Sequence, residues 1–283
     1  MPSFPIVDTH LHIWDPKRLR YPWLAEVPFL NKPYLIDGYR EACGEIEVEK
    51  MVFVQAEADF SQYREETAWV SDVAKEDPRI QGIVSWAPLE KGNEVASDLE
   101  ALSANPLVKS IRRIIQFEPD PEFCLRPDFI RGVQLLHEFD LAFDICINHT
   151  HLYNTIRMVE QCPDERFILD HIGKPDIKNR LLDPWREQLK RLAEFPNVSC
   201  KVSGLVTEAD HASWKPEDLQ PYIEHVLDCF GFNRIMYGGD WPVAYQATEY
   251  PRWVETLESA IGGSPEQQRK LFRENAIDFY RIL

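Results

Sequence analysis

Two histidines separated by one residue follow a short apolar run near the start of the chain. The run at Ile6–Val7 leads to His10 and His12. Side chains two residues apart on a strand point to one face, roughly 6.6 Å apart along it. Two imidazoles on one face can hold a metal ion or a polar substrate between them. Far along the chain, a second apolar run at 234–237 leads through two glycines to Asp240, a carboxylate suited to accept a proton from water.

Other polar side chains lie at or after the ends of the apolar runs between these two segments or, for two arginines, within such a run. They are Gln55 and Glu57, Arg112 and Arg113, His149 and His151, Asp170 and His171, and Ser203. Five of the eight histidines in the chain fall at such positions, at 10, 12, 149, 151 and 171. If the runs are parallel strands, these side chains form a ring around one axis, and the sequence predicts a shared site there.

The apolar runs alternate with amphipathic stretches over almost the whole chain. The predicted strands are Pro5–Thr9, Lys50–Gln55, Ile80–Trp86, Val108–Ile114, Ala142–Ile147, Arg166–Asp170, Val198–Ser203 and Arg234–Tyr237. Such alternation predicts an α/β protein with a parallel sheet, and eight units in 283 residues predict a (β/α)₈ TIM barrel that forms a single domain over residues 1–283. An open doubly wound sheet is the alternative, but no G-x-G-x-x-G sequence follows the first strand.

Two segments are expected to cover the ends of this barrel. Residues 13–35 are rich in aromatic residues and proline, and we expect this long loop to lie over the strand ends where barrel sites are built. A closing helix is predicted at about residues 265–281. Trp14, at the start of the long loop, is a candidate for stacking on the face of a sugar.

Composition excludes some classes of function. The net charge is −16, from 31 basic and 47 acidic residues, which disfavours binding to nucleic acid or to an anionic membrane. Six scattered cysteines without a C-x-x-C pair are typical of reduced thiols. No signal peptide or membrane span is visible, so we expect a cytoplasmic protein with a small-molecule partner; a homo-oligomer is left open.

Three motifs together resemble the amidohydrolase superfamily. They are H-x-H at 10–12, L-D-H-I-G-K-P at 169–175 and Y-G-G-D-W-P at 237–242. Within that superfamily, the chain is similar to the amidohydrolase-2 type and its branch of sugar-acid lactonases and related lactone hydrolases. The similarity runs nearly end to end and includes V-F-V-Q-A-E at 52–57. The resemblance implies a barrel, hydrolysis of a lactone ring and a water-activating carboxylate at Asp240.

The residues themselves agree with this chemistry. Ester hydrolysis needs a base for water and a cation or donors for the developing oxyanion. Asp240 is the expected base, with His171 as a second catalytic residue. The candidate metal ligands are His10, His12, His171 and Asp240. One divalent ion, zinc first, is expected, and a metal-independent mechanism stays open. The two-metal pattern of the superfamily has a lysine after the fourth strand, where this chain has Arg112 and Arg113, so no two-metal site is expected.

The remaining polar residues are candidates for binding substrate. Arg112 and Arg113 point to opposite faces of a strand, so at most one enters the barrel. His149 and His151 are expected to share a face. The candidate substrate-binding residues are Arg112, His149, His151, Glu57 and Trp14.

The sequence therefore predicts a hydrolase that opens a sugar-derived, aldonic acid lactone to the free acid. Two alternatives stay open. One is a metal-dependent decarboxylase of an unsaturated or aromatic acid on the same scaffold. The other is a non-catalytic barrel that binds a sugar acid.

Overall fold

The computed structural model describes all residues from 1 to 283. Eight parallel strands follow one another around a barrel in chain order. The strands are β1 (Ile6–Leu11), β2 (Val48–Val54), β3 (Ile80–Ser85), β4 (Val108–Ile111), β5 (Ala142–Ile145), β6 (Phe167–Leu169), β7 (Val198–Val202) and β8 (Ile235–Tyr237). The predicted (β/α)₈ barrel is therefore confirmed.

Seven helices connect successive strands on the outside of the barrel, and three more follow β8. They are α1 (Ile36–Ala42), α2 (Tyr63–Glu76), α3 (Ala96–Ser103), α4 (Pro127–Gln134), α5 (Leu152–Glu160), α6 (Trp185–Ala193), α7 (Pro216–Phe230), α8 (Tyr250–Ile261), α9 (Pro265–Arg269) and α10 (Asn275–Tyr280). Helix α3 carries a weak periodic signal in the sequence, because its eight residues bury only Leu99 and Leu102. No helix combines the length and the apolar character that crossing a membrane requires.

The first strand is longer than predicted and irregular. It continues to Leu11, because Leu11 pairs with Phe53 in β2 and forms a bridge to Trp241 after β8. The register with β2 shifts between Asp8 and Leu11, as at a β-bulge, which redirects side chains. His10 therefore lies within the strand and not after its end.

The barrel closes between β8 and β1 through few backbone bonds. Apart from the Leu11–Trp241 bridge, the Asp240 N–H donates to His10 O at 2.6 Å and the His12 N–H donates to Trp241 O at 2.8 Å. We refer to this junction between residues 8–12 and 237–241 as the seam. It brings the two segments that carry the H-x-H and G-G-D sequences side by side.

The C-terminal segment fills the opposite end of the barrel. Residues 265–280 form α9, one π-helical turn and α10. Ala276, Tyr280 and Ile282 pack against inward side chains of several strands, including Val7 and Met236. With that end occupied by apolar side chains, the cavity of the barrel opens only towards the carboxyl ends of the strands.

Candidate active site

A cavity of about 390 Å³ lies at the carboxyl ends of the strands. His12, His171 and Asp240 form part of its wall, together with Arg112 and Glu57. The long loop 13–35 adds Trp14, Trp23, Glu26 and Val27. The volume lies within the range of about 300–1,000 Å³ that is common for small-molecule sites.

Two histidines and one carboxylate converge at the seam. Asp240 Oδ1 lies 3.5 Å from His12 Nε2 and 3.8 Å from His10 Nε2. The ring centroids of His10 and His12 are 5.0 Å apart, and those of His10 and His171 are 4.4 Å apart. All four side chains are buried. The structure thus brings together the four residues that the sequence predicted as a cluster.

Hydrogen bonds set which ring nitrogens are available. His12 Nδ1 lies 2.7 Å from Val54 O, and a carbonyl oxygen is an acceptor, so Nδ1 carries a hydrogen and Nε2 is the ring nitrogen that faces Asp240. His171 Nδ1 lies 2.9 Å from Ser203 Oγ. Ser203 follows β7 and His171 follows β6, so this contact orients the His171 ring from the neighbouring strand.

Electrostatics favour neutral rings beside an ionised acid. Burial lowers the pKa of His10 and the pKa of His171 well below the usual range for histidine. Burial also disfavours the charged form of Asp240, but the interactions with His171 and His12 outweigh it and lower the pKa of Asp240. Asp240 is therefore ionised near neutral pH, as a base must be.

This cluster fits a metal ion. The side chains of His10, His12 and Asp240 form a group whose ligand atoms lie within 4.8 Å of one another. His12 Nε2 faces a carboxylate oxygen of Asp240 at 3.5 Å, and when this nitrogen carries no hydrogen, a cation between the two atoms would bind both. Two imidazoles and one carboxylate are a common ligand set for catalytic zinc, which keeps a further position open.

The two arginines after β4 have different surroundings, as predicted. Arg112 enters the barrel, where Nη2 donates to Gln55 O at 2.6 Å and Nη1 lies 3.3 Å from both His10 Nε2 and Asp170 Oδ2. Arg113 forms ion pairs with Glu90 and Glu118 outside the cavity. Arg112 is thus placed next to the histidine cluster.

A buried ionic network supports the cluster from below, and the sequence analysis missed it. Lys201 Nζ in β7 lies 2.5 Å from Asp144 Oδ2 and 3.0 Å from Asp170 Oδ1. Asp170 Oδ1 in turn lies 3.4 Å from His10 Nδ1. Burial disfavours the Asp170 carboxylate, yet Lys201 and His10 hold the pKa of Asp170 well below its usual range. The sequence did contain a signal for this network, because Asp144 and Lys201 are charged residues inside predicted buried strands and such residues need partners.

The walls of the cavity carry further polar side chains. Glu57 accepts a hydrogen bond from Gln55 Nε2 at 3.0 Å. Lys174 Nζ lies 3.8 Å from Glu208 Oε1, and both residues line the cavity. Neither was among the predicted substrate-binding residues. The backbone of Glu57, His171, Lys174 and Asp240 has φ near +50°, a conformation that is rare outside glycine and clusters at functional sites.

Two predicted substrate-binding residues do not line the cavity. His149 and His151 lie in one turn of 3-10 helix before α5, and not on a strand, so they do not share a face as expected. His149 Nδ1 lies 3.0 Å from Lys174 O, and His151 Nδ1 lies 3.0 Å from Asn148 Oδ1. Neither is among the residues that form the cavity wall. Trp14, Glu57 and Arg112 do belong to it.

Comparison with known proteins gives a consistent result. The family model described as "Amidohydrolase" matches residues 7–282. An L-fucono-1,5-lactonase of Burkholderia multivorans is 32% identical over 272 residues, covering 90% of each chain. One of Burkholderia ambifaria is 28% identical over 284 residues, covering 98% of this chain and 95% of that one.

A solved structure extends this similarity to three dimensions. The crystal structure of an amidohydrolase from Burkholderia multivorans with bound zinc has a TM-score of 0.89 and 30% sequence identity to this chain. The match covers 99% of this chain and 100% of the other. Since the family model spans nearly all of the sequence, the chain belongs to the amidohydrolase family.

Proposed function

We propose that this hydrolase opens the ring of a sugar-derived lactone and releases the aldonic acid. The observation that carries the proposal is the cluster of His10, His12, His171 and Asp240 at the foot of the cavity. The L-fucono-1,5-lactonases among its relatives support the same reaction class. Hydrolysis of a lactone adds water across the ring ester and gives one carboxyl group and one hydroxyl group.

Asp240 acts as the general base. It takes one proton from a water molecule, whose oxygen then attacks the lactone carbonyl carbon and forms the tetrahedral intermediate. The lowered pKa of Asp240 keeps the carboxylate ionised for this step. When the ring C–O bond breaks, the protonated Asp240 returns its proton to the departing ring oxygen, which becomes a hydroxyl group of the product.

The negative charge on the former carbonyl oxygen needs stabilisation by cations or donors. His171 and Arg112 line the cavity beside Asp240, and we assign them to this charge. We further propose that His10, His12 and Asp240 hold one divalent ion, with zinc as the first candidate. When bound, such an ion supplies Lewis-acid polarisation of the carbonyl and acidifies water.

The cavity wall favours an uncharged, hydroxyl-rich substrate. Glu57 and Glu208 offer acceptors for hydroxyl groups, and Lys174 offers a donor. The positive charge of Lys174 lies near Glu208, and that of Arg112 lies near Asp170. Each cation in the wall thus already has an acidic neighbour, which weakens its attraction for a substrate carboxylate. Trp14 and Trp23 add indole surfaces, which suit the apolar face of a sugar ring.

A screen of aldonolactones with a pH indicator tests the proposal, because each turnover releases one acid. Purified protein is assayed after treatment with a chelator and again after zinc is added back. We expect acid release from at least one neutral aldonolactone and a gain on addition of zinc. Release of carbon dioxide from an unsaturated or aromatic acid would instead support a decarboxylase. Binding of an aldonic acid without turnover of any lactone would support a non-catalytic barrel.

A further inference from the structure

Asp8 precedes the H-x-H sequence and has no assigned role. The register shift in β1 begins at Asp8, and the side chains of neighbouring residues point in different directions. Val7 packs inside the barrel with Val52 and Met236. Asp8 instead contacts Tyr39 in α1 and Tyr250 in α8. The Asp8 carboxylate therefore lies behind the strands and does not line the cavity.

One oxygen of this carboxylate connects the two sides of the seam. Asp8 Oδ1 accepts hydrogen bonds from the backbone N–H of His10 at 3.0 Å and of Gly239 at 2.8 Å. The first amide belongs to the metal-ligand candidate His10. The second belongs to the residue immediately before Asp240. Few backbone bonds join β8 to β1, so these side-chain bonds form a large part of the connection at this level.

The other oxygen anchors the carboxylate to two helices. Asp8 Oδ2 accepts hydrogen bonds from the hydroxyl groups of Tyr39 at 2.8 Å and Tyr250 at 3.0 Å. The side chain is fully buried. Burial raises the pKa of Asp8, and the four hydrogen bonds oppose that rise. A carboxylate with two bonds on each oxygen has little freedom to rotate.

The glycine at 239 leaves room for this carboxylate. A Cβ atom on Gly239 would lie 2.5 Å from Asp8 Oδ2 and 2.4 Å from Tyr250 Cε2. Both distances are far below van der Waals contact. The second glycine of the G-G-D sequence is therefore explained by the space that Asp8 and Tyr250 occupy.

We propose that Asp8 is a positioning residue, which fixes the spacing between His12 and Asp240 by bonding the backbone on both sides of the seam. Asp8 does not touch the reacting atoms. The inference rests on the proposed function for its kinetic consequence, but its structural consequence is independent of any substrate.

The test compares two substitutions of similar size. Asp8→Asn keeps an oxygen that accepts both backbone N–H groups, whereas Asp8→Val removes every acceptor and suits a strand. Loss of an outer partner typically costs about 10–100-fold in metal affinity or activity. For Asp8→Val we expect a loss of this size in affinity for Zn²⁺ alone, measured by titration of metal-free protein, and in kcat for the aldonolactone, with KM little changed. Asp8→Asn should retain most of both.

A crystal structure of the Asp8→Val variant provides a readout that needs neither metal nor substrate. We expect the separation of His12 Nε2 and Asp240 Oδ1 to increase from 3.5 Å. If Asp8→Val does not fold, Asp8→Thr, which keeps a single hydroxyl acceptor, replaces it and should show a smaller loss and a smaller displacement.

Three results would overturn the proposal. One is an unchanged His12–Asp240 separation in a folded variant without the carboxylate. Another is wild-type zinc affinity and kcat in that variant. A third is an Asp8→Asn variant as impaired as Asp8→Val, because charge and not backbone geometry would then be the cause. A wild-type protein inactive on every lactone would defeat the proposed function, but the crystallographic comparison would still decide the role of Asp8.

Discussion

The chain contains the H-x-H pattern twice, and the two copies have different environments. His10 lies in β1 and His12 directly follows it, and at the seam their rings lie 3.8 and 3.5 Å from Asp240 Oδ1. His149 and His151 lie in a 3-10 turn and bond to nearby loop atoms. On a strand, residues two apart share a face, but in a helical turn they point in different directions. The backbone conformation therefore decides whether this spacing produces a shared site.

Asp240→Asn is the strongest test of the difference between the two copies. The amide keeps the shape of the carboxylate but cannot accept a proton, so kcat for the aldonolactone should fall by about 10²–10⁴-fold, the usual contribution of a general base. The thermal midpoint should stay close to that of the wild type. Asp72→Asn on the exposed surface of α2 serves as a matched control. Wild-type turnover in Asp240→Asn would remove Asp240 from the mechanism and leave His171 as the next candidate.

His12→Gln tests whether the seam holds a metal ion. The substitution removes the Nε2 atom that faces Asp240. Loss of an outer partner typically lowers metal affinity by about 10–100-fold. We expect the loss of a direct ligand to lower it at least as much. Titration of metal-free protein with Zn²⁺ measures the effect. Equal zinc affinity in the variant and the wild type would place the ion elsewhere. Turnover that a chelator leaves unchanged would instead favour a mechanism carried by the histidines and Arg112.

The seam was predictable from sequence because its signals are local. Each apolar run indicates a strand, and the residues at its carboxyl end are candidates for the site. The positions of His10, His12 and Asp240 in the sequence were therefore enough to predict that they share a site. The barrel brings the first and last strands together, so the two segments meet although 228 residues separate Thr9 from Tyr237. The alternation of side chains along a strand also predicted that only one of Arg112 and Arg113 enters the barrel.

Other contacts depend on geometry that no short pattern contains. Asp8 points away from the cavity whereas His10, two residues later, points towards Asp240, so the register shift between Asp8 and Leu11 breaks the alternation used for prediction. Lys201 forms ion pairs with Asp144 and Asp170 only because three strands bring these residues to one level inside the barrel. For His149 and His151, the strand was predicted to extend to Ile147, but β5 ends at Ile145 and a helical turn follows.

Both H-x-H segments stand on the same barrel, so a change in overall stability must be separated from changes at either one. Glu66 in α2 provides this reference. It is 2% exposed and accepts a hydrogen bond from the Ala56 N–H at 3.1 Å. Burial raises the pKa of Glu66 from 4.5 to about 8. The folded state therefore keeps a proton that the unfolded chain releases above its own pKa.

The sign of the pH dependence follows from this proton. The stabilisation is complete below pH 4.5 and is lost as the pH rises through about 8, because the folded state binds more protons than the unfolded state. Between pH 5 and pH 8 the contribution of Glu66 to the free energy of unfolding falls by roughly 3 kcal/mol. Glu66→Gln should remove this part of the slope in denaturant unfolding across that range, with the zinc affinity unchanged. An identical slope in both proteins would show that Glu66 is not protonated in the folded state.

The smallest effect is expected at the second copy of the pattern, with His151→Gln. Gln can keep a hydrogen bond to Asn148, and His151 does not line the cavity. Substitutions away from a special contact usually change free energies by less than about 0.5 kcal/mol, which is roughly twofold in rate. We therefore expect kcat, KM and zinc affinity within about twofold of the wild-type values, measured beside His12→Gln in the same buffers. A large increase in KM alone would mean that substrate reaches His151, and the two copies of the pattern would then both belong to the active site.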